Sequence, residues 1–302
     1  MMAAMKRQPL RGELLHDVPL SDYTSWRVGG AAKCLYRPAD SQDLVDFLRQ
    51  LKADEPLLWL GLGSNLLVRD GGFRGTVIAT QGSLERLEMQ PDGLLYSEAG
   101  VSCAKVARFA ARQGRVGIEF LAGIPGTMGG ALAMNAGAFG GETWGAVAWV
   151  ETLDRQGCVR RRDPPRFEVG YRRVKGAEGE WFLAAGLTTQ SGDVAAGQQK
   201  IKQLLARRSE SQPIGLPSCG SVFRNPEGDY AARMIEASGL KGERIGGAVV
   251  SEKHANFIIN AGGASASDIE ALINLVRDRV EAASGVCLQT EVHMVGERKP
   301  EQ

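Results

Sequence analysis

A chain of 302 residues, 43% hydrophobic and 24% charged, is long enough to bury the cores of two or three compact units, and a formal net charge of +1 argues against a strongly electrostatic nucleic-acid binder. Five cysteines without a CxxC pair and three histidines, His16, His254 and His293, point to reduced thiols, a cytoplasmic protein and no bound metal. Lys6, Arg7 and Arg11 are followed by no apolar segment, so no signal peptide is expected, and apolar runs such as 57–62 are too short to span a membrane.

After a polar tail over 1–21, Ser41 reads as the cap of a helix running to about 52, because Leu44, Val45, Phe47, Leu48 and Leu51 recur on one face. Pro56 opens a strand over 57–60 that runs into the small-residue turn Gly61-Leu-Gly-Ser-Asn-Leu66, and Asp70-Gly-Gly and Gly75 lead back to a strand over 76–80. Apolar runs over 94–99, 147–154 and 182–188, punctuated by turn residues, predict antiparallel strands. Between them a helix starts at Ser102 or Cys103 and stops at Gly114. A polar helix over 193–208 marks a domain boundary near its start. It is followed by a loop over 212–226, a helix over 230–238 closed by Gly239, and a strand over 254–260. An amphipathic helix over 267–284, with Ile269, Leu272, Ile273, Val276 and Val280 inward, and a final strand over 286–294 complete the chain.

The stretch 123–141 contains Gly123, Gly126, Gly129, Gly130, Gly137, Gly140 and Gly141, almost no charge, and Ile124, Met128, Leu132, Met134 and Phe139, which favour burial. Such a bare, apolar backbone allows something bulky to approach it, with amides turned toward the ligand; a tightly packed turn between core elements is the alternative. The Gly61 turn suits a pyrophosphate or a plain β-turn. It is no dinucleotide fingerprint, since Leu66 occupies the last glycine position, and no Gly-Lys pair exists for a P-loop.

Thr24-Ser-Trp-Arg-Val-Gly-Gly30, Gly61-Leu-Gly-Ser-Asn-Leu-Leu-Val68, Gly123-Ile-Pro-Gly-Thr-Met-Gly-Gly-Ala131, Met134-Asn-Ala-Gly-Ala-Phe-Gly140, Gly170-Tyr-Arg172, Gly220-Ser-Val-Phe-Arg-Asn-Pro226, Gly239-Leu-Lys-Gly242 through Gly246-Gly-Ala248 and Lys253-His-Ala-Asn-Phe-Ile258 follow one another in the order of a known family. Over residues 23–296 the chain closely resembles the UDP-N-acetylenolpyruvoylglucosamine reductases, flavoenzymes of peptidoglycan precursor synthesis, and looks like the subtype without an extra tyrosine-bearing loop. The resemblance implies an α+β fold. A two-lobed FAD-binding domain of the p-cresol methylhydroxylase or vanillyl-alcohol oxidase type would cover 22–192, with lobes 22–80 and 81–192, and a smaller α+β substrate-binding domain 193–302. It also implies non-covalent FAD and NADPH as cofactors, held in part by Gly61, Gly63, Ser64, Asn65 and Leu66 and by Gly123, Ile124, Pro125, Gly126, Thr127, Gly129 and Gly130. The implied partner is a small molecule, UDP-N-acetylglucosamine-enolpyruvate, with no nucleic acid, membrane or obligate protein partner.

The family reaction adds hydride to the terminal carbon of an enol ether, leaving carbanion character beside a carboxylate, so a site must spread that charge and deliver a proton. By resemblance Ser221 is the proton donor, where a turn serine bonding its own backbone is the bland reading. Cys219 is a nearby thiol easily mistaken for the acid. Arg172 matches the arginine that forks onto the carboxylate, but Val174 replaces a common serine and Arg173 adjoins it; along an extended segment only one of the two arginines faces the site. Glu291 matches the glutamate that assists the enolate, and strand alternation sets it opposite Val286, Leu288 and Thr290, with Cys287, Gln289 and His293 on its own side. Asn225 and Tyr171 are expected at the substrate, Arg224 stands where lysine is common, and His254 reads as structural. Two alternatives stay open: another FAD oxidoreductase of carbohydrate oxidase type, disfavoured by the lack of a histidine between His16 and His254 to tether flavin, or a non-catalytic nucleotide-binding protein.

Overall fold

A computed structural model describes residues 9–176 and 178–299; the first eight residues of the expected tail, with Lys6 and Arg7, lie outside them. The chain divides into two compact units. Among the described residues, one comprises 9–16, Cys34–Gly61 and Gly75–Ile201; the other takes Asp17–Lys33, Leu62–Arg74 and 202–299. Two early segments thus belong to the later unit, and the division falls inside helix α4, Val194–Ser211, rather than near residue 193. Within the expected tail, Glu13–Pro19 is a strand.

The two larger sheets of the first unit have four and five strands. In the four-stranded one the order is Glu13–Pro19, Ala31–Arg37, Phe73–Ala79, Leu57–Leu60, and the last two pair in parallel with Leu57 opposite Thr76. Helix α1, Ser41–Gln50, lays Leu44, Val45, Phe47 and Leu48 into a core with Tyr36, Ile78, Leu84, Leu153 and Leu183. Its cap is Asp40, whose carboxylate accepts from Asp43 N at 2.9 Å, so Ser41 is the first helical residue rather than the cap. The five-stranded sheet is antiparallel throughout, in the order Val159–Arg162, Val147–Asp154, Glu180–Leu187, Leu95–Glu98, Leu87–Met89. Helix α2, Cys103–Arg112, is capped by Ser102, and α3, Met128–Met134, lies within the glycine-rich stretch.

In the second unit, helix α5, Ala231–Ala237, and the long α6, Ala266–Ser284, pack on a three-stranded sheet of Arg244–Ile245, Ala248–Val250 and Ile258–Asn260. The core gathers Trp26, Leu67, Phe223, Ile269, Leu272, Ile273 and Val276. Ser265 and Asp268 form a capping box at the start of α6, Asp70 adds its carboxylate to the amides of Ala266 and Ser267 at 2.9 and 2.8 Å, and Gly285, at φ +72°, ends the helix. Among the described residues no helix is long and apolar enough to cross a membrane.

The expected strand over 286–294 shrinks to His293–Val295, paired in parallel with Leu66–Val68. The residues before it keep the expected alternation, with Leu288 and Val292 buried and Cys287, Gln289 and His293 exposed, but the backbone bonds of Gln289 and Glu291 go to residues 222–224. Likewise only Ile258–Asn260 of 254–260 is strand, because His254 O closes a turn to Phe257 N and Asn256 bonds Val222 and Phe223.

Glu270 on α6 anchors this unit through Arg69, whose Nε and Nη2 donate to it at 2.9 and 3.1 Å, and Arg298 at 3.0 Å. The Arg69 hydrogen bond pulls the Glu270 pKa below its ordinary 4.5. A depressed carboxylate contributes its stability in full above the unfolded pKa and loses it as pH falls through the folded one. Glu270→Gln is therefore expected to lower stability by about 1–3 kcal/mol near neutral pH, and by progressively less in acid below about pH 4. Urea unfolding at the two pH values reads the difference; an equal loss at both would show that the charge is not what matters.

Candidate flavin and substrate sites

In the first unit a cavity of about 340 Å³ opens beside the five-stranded sheet, lined by Trp59, Leu60, Gly61, Thr127, Gly129, Gly130, Val174 and Trp181 among others. Its walls come from the strand Leu57–Leu60, the start of α3 and the strand Glu180–Leu187. Two buried polar atoms on this wall, Trp59 Nε1 and Thr127 Oγ1, have no hydrogen-bond partner among the described residues. A buried donor left without a partner is costly, so these atoms fit a cavity whose ligand supplies acceptors. The Trp59 ring stacks on Trp181 with centroids 4.9 Å apart and planes 17° from parallel, giving that part of the wall an aromatic lining.

The glycines of 123–141 divide into two groups. A Cβ on Gly129 would lie 2.9 Å from the Ala99 Cβ, and one on Gly141 would meet the Phe120 ring at 2.6 Å, so those glycines let protein pack on protein. A Cβ on Gly130 would find nothing nearer than Thr127 Oγ1 at 4.0 Å, and Gly130 is an exposed part of the cavity wall. Four amides of this stretch are not free for a ligand: those of Ile124, Gly126, Met128 and Gly129 are taken by the carbonyls of Leu121, Ile124, Val101 and Ala99. Of the remaining expected residues, Gly123 is buried, while Pro125 is exposed and does not line the cavity. Trp59, Thr80, Trp181 and Phe182 line it without having been singled out in the sequence, where they read only as strand residues.

The Gly61 turn crosses the division between units after Gly61. In the second unit, the Gly63 carbonyl accepts from Ser25 N at 3.1 Å, Ser64 is half-buried, and Leu66 starts the strand Leu66–Val68. Asn65 uses its side chain on the protein, donating from Nδ2 to Glu291 O at 3.1 Å.

Arg172 does not lie in an extended segment. With Tyr171 it forms the turn joining the strands Glu168–Gly170 and Arg173–Lys175, at a left-handed φ of +52°. The turn separates the two arginines. Arg172 directs its guanidinium to Asn135 O and Gly137 O at 3.4 and 3.2 Å, half-buried against the glycine-rich stretch, with the exposed Tyr171 ring 5.0 Å away. Arg173 is exposed and pairs with Glu168 at 2.6 Å.

In the second unit, Ser221 follows Gly220, whose φ is +80°, and is half-buried. Its hydroxyl makes no hydrogen bond to another described residue, so it is not a turn serine capping its own backbone. Cys219 is buried, and desolvation, with the Glu291 charge adding to it, pushes its thiol well above the ordinary value. The thiol therefore stays protonated at neutral pH, and the Glu291 carboxylate lies within electrostatic reach of this loop. Asn225 Oδ1 accepts from Ala231 N at 3.1 Å, capping the start of α5. Arg224, in the same loop, has its Nε buried without a partner among the described residues. His254 also has a buried ring nitrogen without a partner, Nδ1, and burial lowers its pKa. Among the described residues no cluster of three metal-ligating side chains exists.

A glycine-edged, partly aromatic cavity beside an antiparallel sheet, with donors unpartnered among the described residues, suits a large cofactor that carries hydrogen-bond acceptors. Residues 32–162 match the family description of an FAD-binding domain, and residues 212–295 match that of the UDP-N-acetylenolpyruvoylglucosamine reductase C-terminal domain. Over 98% of its length the chain is 62% identical to a UDP-N-acetylenolpyruvoylglucosamine reductase from Alkalilimnicola ehrlichii, of which 99% is covered, and 60% identical to one from Methylococcus capsulatus, of which 97% is covered. A crystal structure of the reductase from Thermus caldophilus superposes with a TM-score of 0.81 at 31% identity, covering 95% of this chain and 99% of that one. The chain belongs to the UDP-N-acetylenolpyruvoylglucosamine reductase family. The expected α+β fold, with an FAD-binding domain ahead of a reductase-type C-terminal domain, is the fold observed.

Proposed function

We propose that this chain uses NADPH to reduce the enolpyruvyl ether of UDP-N-acetylglucosamine-enolpyruvate to UDP-N-acetylmuramate, as a cytoplasmic enzyme of peptidoglycan precursor synthesis. Beyond family membership, the observation that carries the reading is the Ser221 hydroxyl, half-buried with no bond to the protein, beside a thiol that burial keeps protonated. FAD, held without a covalent bond at the cavity wall of Trp59, Gly61, Thr127 and Gly130, would relay hydride from NADPH to the terminal carbon of the enol ether. The chain's own residues do the rest.

As hydride arrives, electron density collects on the carbon beside the substrate carboxylate. Arg172 is assigned to fork onto that carboxylate and Glu291 to assist the resulting enolate. Ser221 holds its proton until that strong base develops, then passes it to the carbon, so one hydride and one proton together saturate the double bond. A serine is too weak an acid for this in water, and exclusion of solvent is part of its role. Asn225 and Tyr171 are assigned to the sugar nucleotide; the backbone cap from Asn225 Oδ1 leaves its amide NH₂ for that purpose.

Turnover of the UDP-enolpyruvyl sugar with NADPH, followed together with the flavin spectrum, tests the reading; no turnover by flavin-loaded protein would overturn it. In the same assay Arg172→Ala is expected to lower turnover by about 10²- to 10³-fold and Arg173→Ala by less than about threefold. Equal, mild losses would show that neither arginine holds the carboxylate.

A further inference from the structure

We propose that Asn256 is a positioning residue for the reaction: its side-chain amide takes the place of a neighbouring strand and sets Ser221 in register with Glu291. The inference rests on the role given to Ser221 above.

Residues 222–224 are held along two edges. On one, Val222 N donates to Asn256 O at 2.9 Å, Phe223 N donates to Asn256 Oδ1 at 2.9 Å, and Asn256 Nδ2 donates to Phe223 O at 2.8 Å. A single residue that exchanges both N–H···O bonds with Phe223 reproduces the doubly bonded pair of an antiparallel ladder, here with a side chain in place of a peptide. On the other edge, Glu291 N donates to Val222 O at 2.8 Å and Arg224 N to Gln289 O at 2.9 Å, with Phe223 opposite Thr290. Asn65 continues the series by donating to Glu291 O. Asn256, Val222 and Phe223 are all buried, so solvent does not replace a lost bond.

Ser221 sits at the end of this clamp. Before it comes Gly220, at φ +80° and with open space where a Cβ would be, a joint that imposes little on the position of the next residue. The place of the hydroxyl is therefore set from the side of Val222 and Phe223, by the backbone bond of Val222 N to Asn256 O and by the two bonds of the Asn256 side chain to Phe223, while Glu291 hangs on the carbonyl of Val222. The Asn256 side chain, by fixing Phe223, holds the segment from which both groups are placed. A displacement of about 1 Å in such a pair costs up to about 100-fold in rate.

The test uses full-length, FAD-loaded Asn256→Ala in stopped-flow measurements of the two half-reactions. Reduction of the flavin by NADPH is expected within about twofold of wild type, reoxidation by the UDP-enolpyruvyl sugar slowed about 10- to 100-fold, and the solvent deuterium isotope effect on reoxidation increased because proton delivery has become slower. A merely structural residue would move neither the isotope effect nor the balance between half-reactions. Reoxidation within about twofold of wild type, or equal falls in both half-reactions, overturns the proposal. Should the alanine variant not retain FAD, Asn256→Asp, which keeps the acceptor for Phe223 N but sets an acceptor against Phe223 O, is read by the same criteria. Ser221→Ala run alongside keeps the two ideas apart. Wild-type reoxidation in that variant removes the proton-donor role beneath the inference, whereas slow reoxidation there with fast reoxidation in Asn256→Ala removes the clamp alone.

Discussion

Ser221→Ala is expected to leave the reduction of bound flavin by NADPH nearly unchanged while slowing its reoxidation by substrate by about 10² to 10⁴. The asymmetry follows from what the hydroxyl touches. It makes no hydrogen bond to another described residue, so its removal disturbs no protein hydrogen bond and little of the fold. Hydride delivery to the flavin involves no substrate carbon and needs no proton from this loop. The second half-reaction does, because a carbanion beside a carboxylate that is not protonated returns its electrons. Cys219 is no substitute: it is buried, and its thiol is pushed well above the ordinary range. Rapid-reaction absorbance of the flavin separates the two steps, and unimpaired reoxidation would end the assignment of Ser221.

Gly130→Val is expected to abolish FAD retention while leaving a folded protein, and Gly129→Val to prevent folding of the first unit. Both residues lie in one glycine pair, and the difference is where the missing Cβ would point. At Gly130 it would enter the cavity, with nothing nearer than 4.0 Å, and two further methyl groups would occupy space that the ligand needs. At Gly129 it would press on Ala99 at 2.9 Å, in the turn just after the strand Leu95–Glu98, whose Ala99 carbonyl already binds the Gly129 amide at 2.9 Å. Purified Gly130→Val should be colourless with near-native thermal unfolding of the apoprotein. A yellow Gly130→Val protein would mean that the cavity is not the flavin site.

Elements whose side chains alternate or stripe against a core were legible in the sequence. The strands over 57–60 and 147–154 and the long helix from 266 to 284 sit where apolar spacing put them, because local pattern and burial agree there. The segment before His293 was not legible as it stands: its apolar letters alternate, but its backbone bonds go to residues 222–224, a partner that no local pattern reveals. The turn at Arg172 was hidden for a related reason, since a left-handed arginine has no compositional mark and reads as extended chain. The glycine density of 123–141 pointed to close approach without showing what approaches; only the direction of each missing Cβ separates Gly130 from Gly129 and Gly141. The roles of Ser221, Arg172 and Glu291 came from motif resemblance; the fold adds only where each of them sits and what surrounds it. Asn256 escaped notice because a side-chain amide that imitates a strand looks like any buried asparagine.

The second unit is closed by residues far apart in the chain. Trp26 Nε1 donates to Ile258 O across 232 positions, Arg69 Nη1 to Gly296 O across 227, and Leu66–Val68 forms its ladder with His293–Val295. On the ribosome this has a cost in time. While the first unit is already emerging, Trp26, Leu67 and a bare strand edge remain without their cover until residues 293–295 have been made. Over that interval the unpaired edge is the part of the nascent chain most open to wrong pairing with another chain.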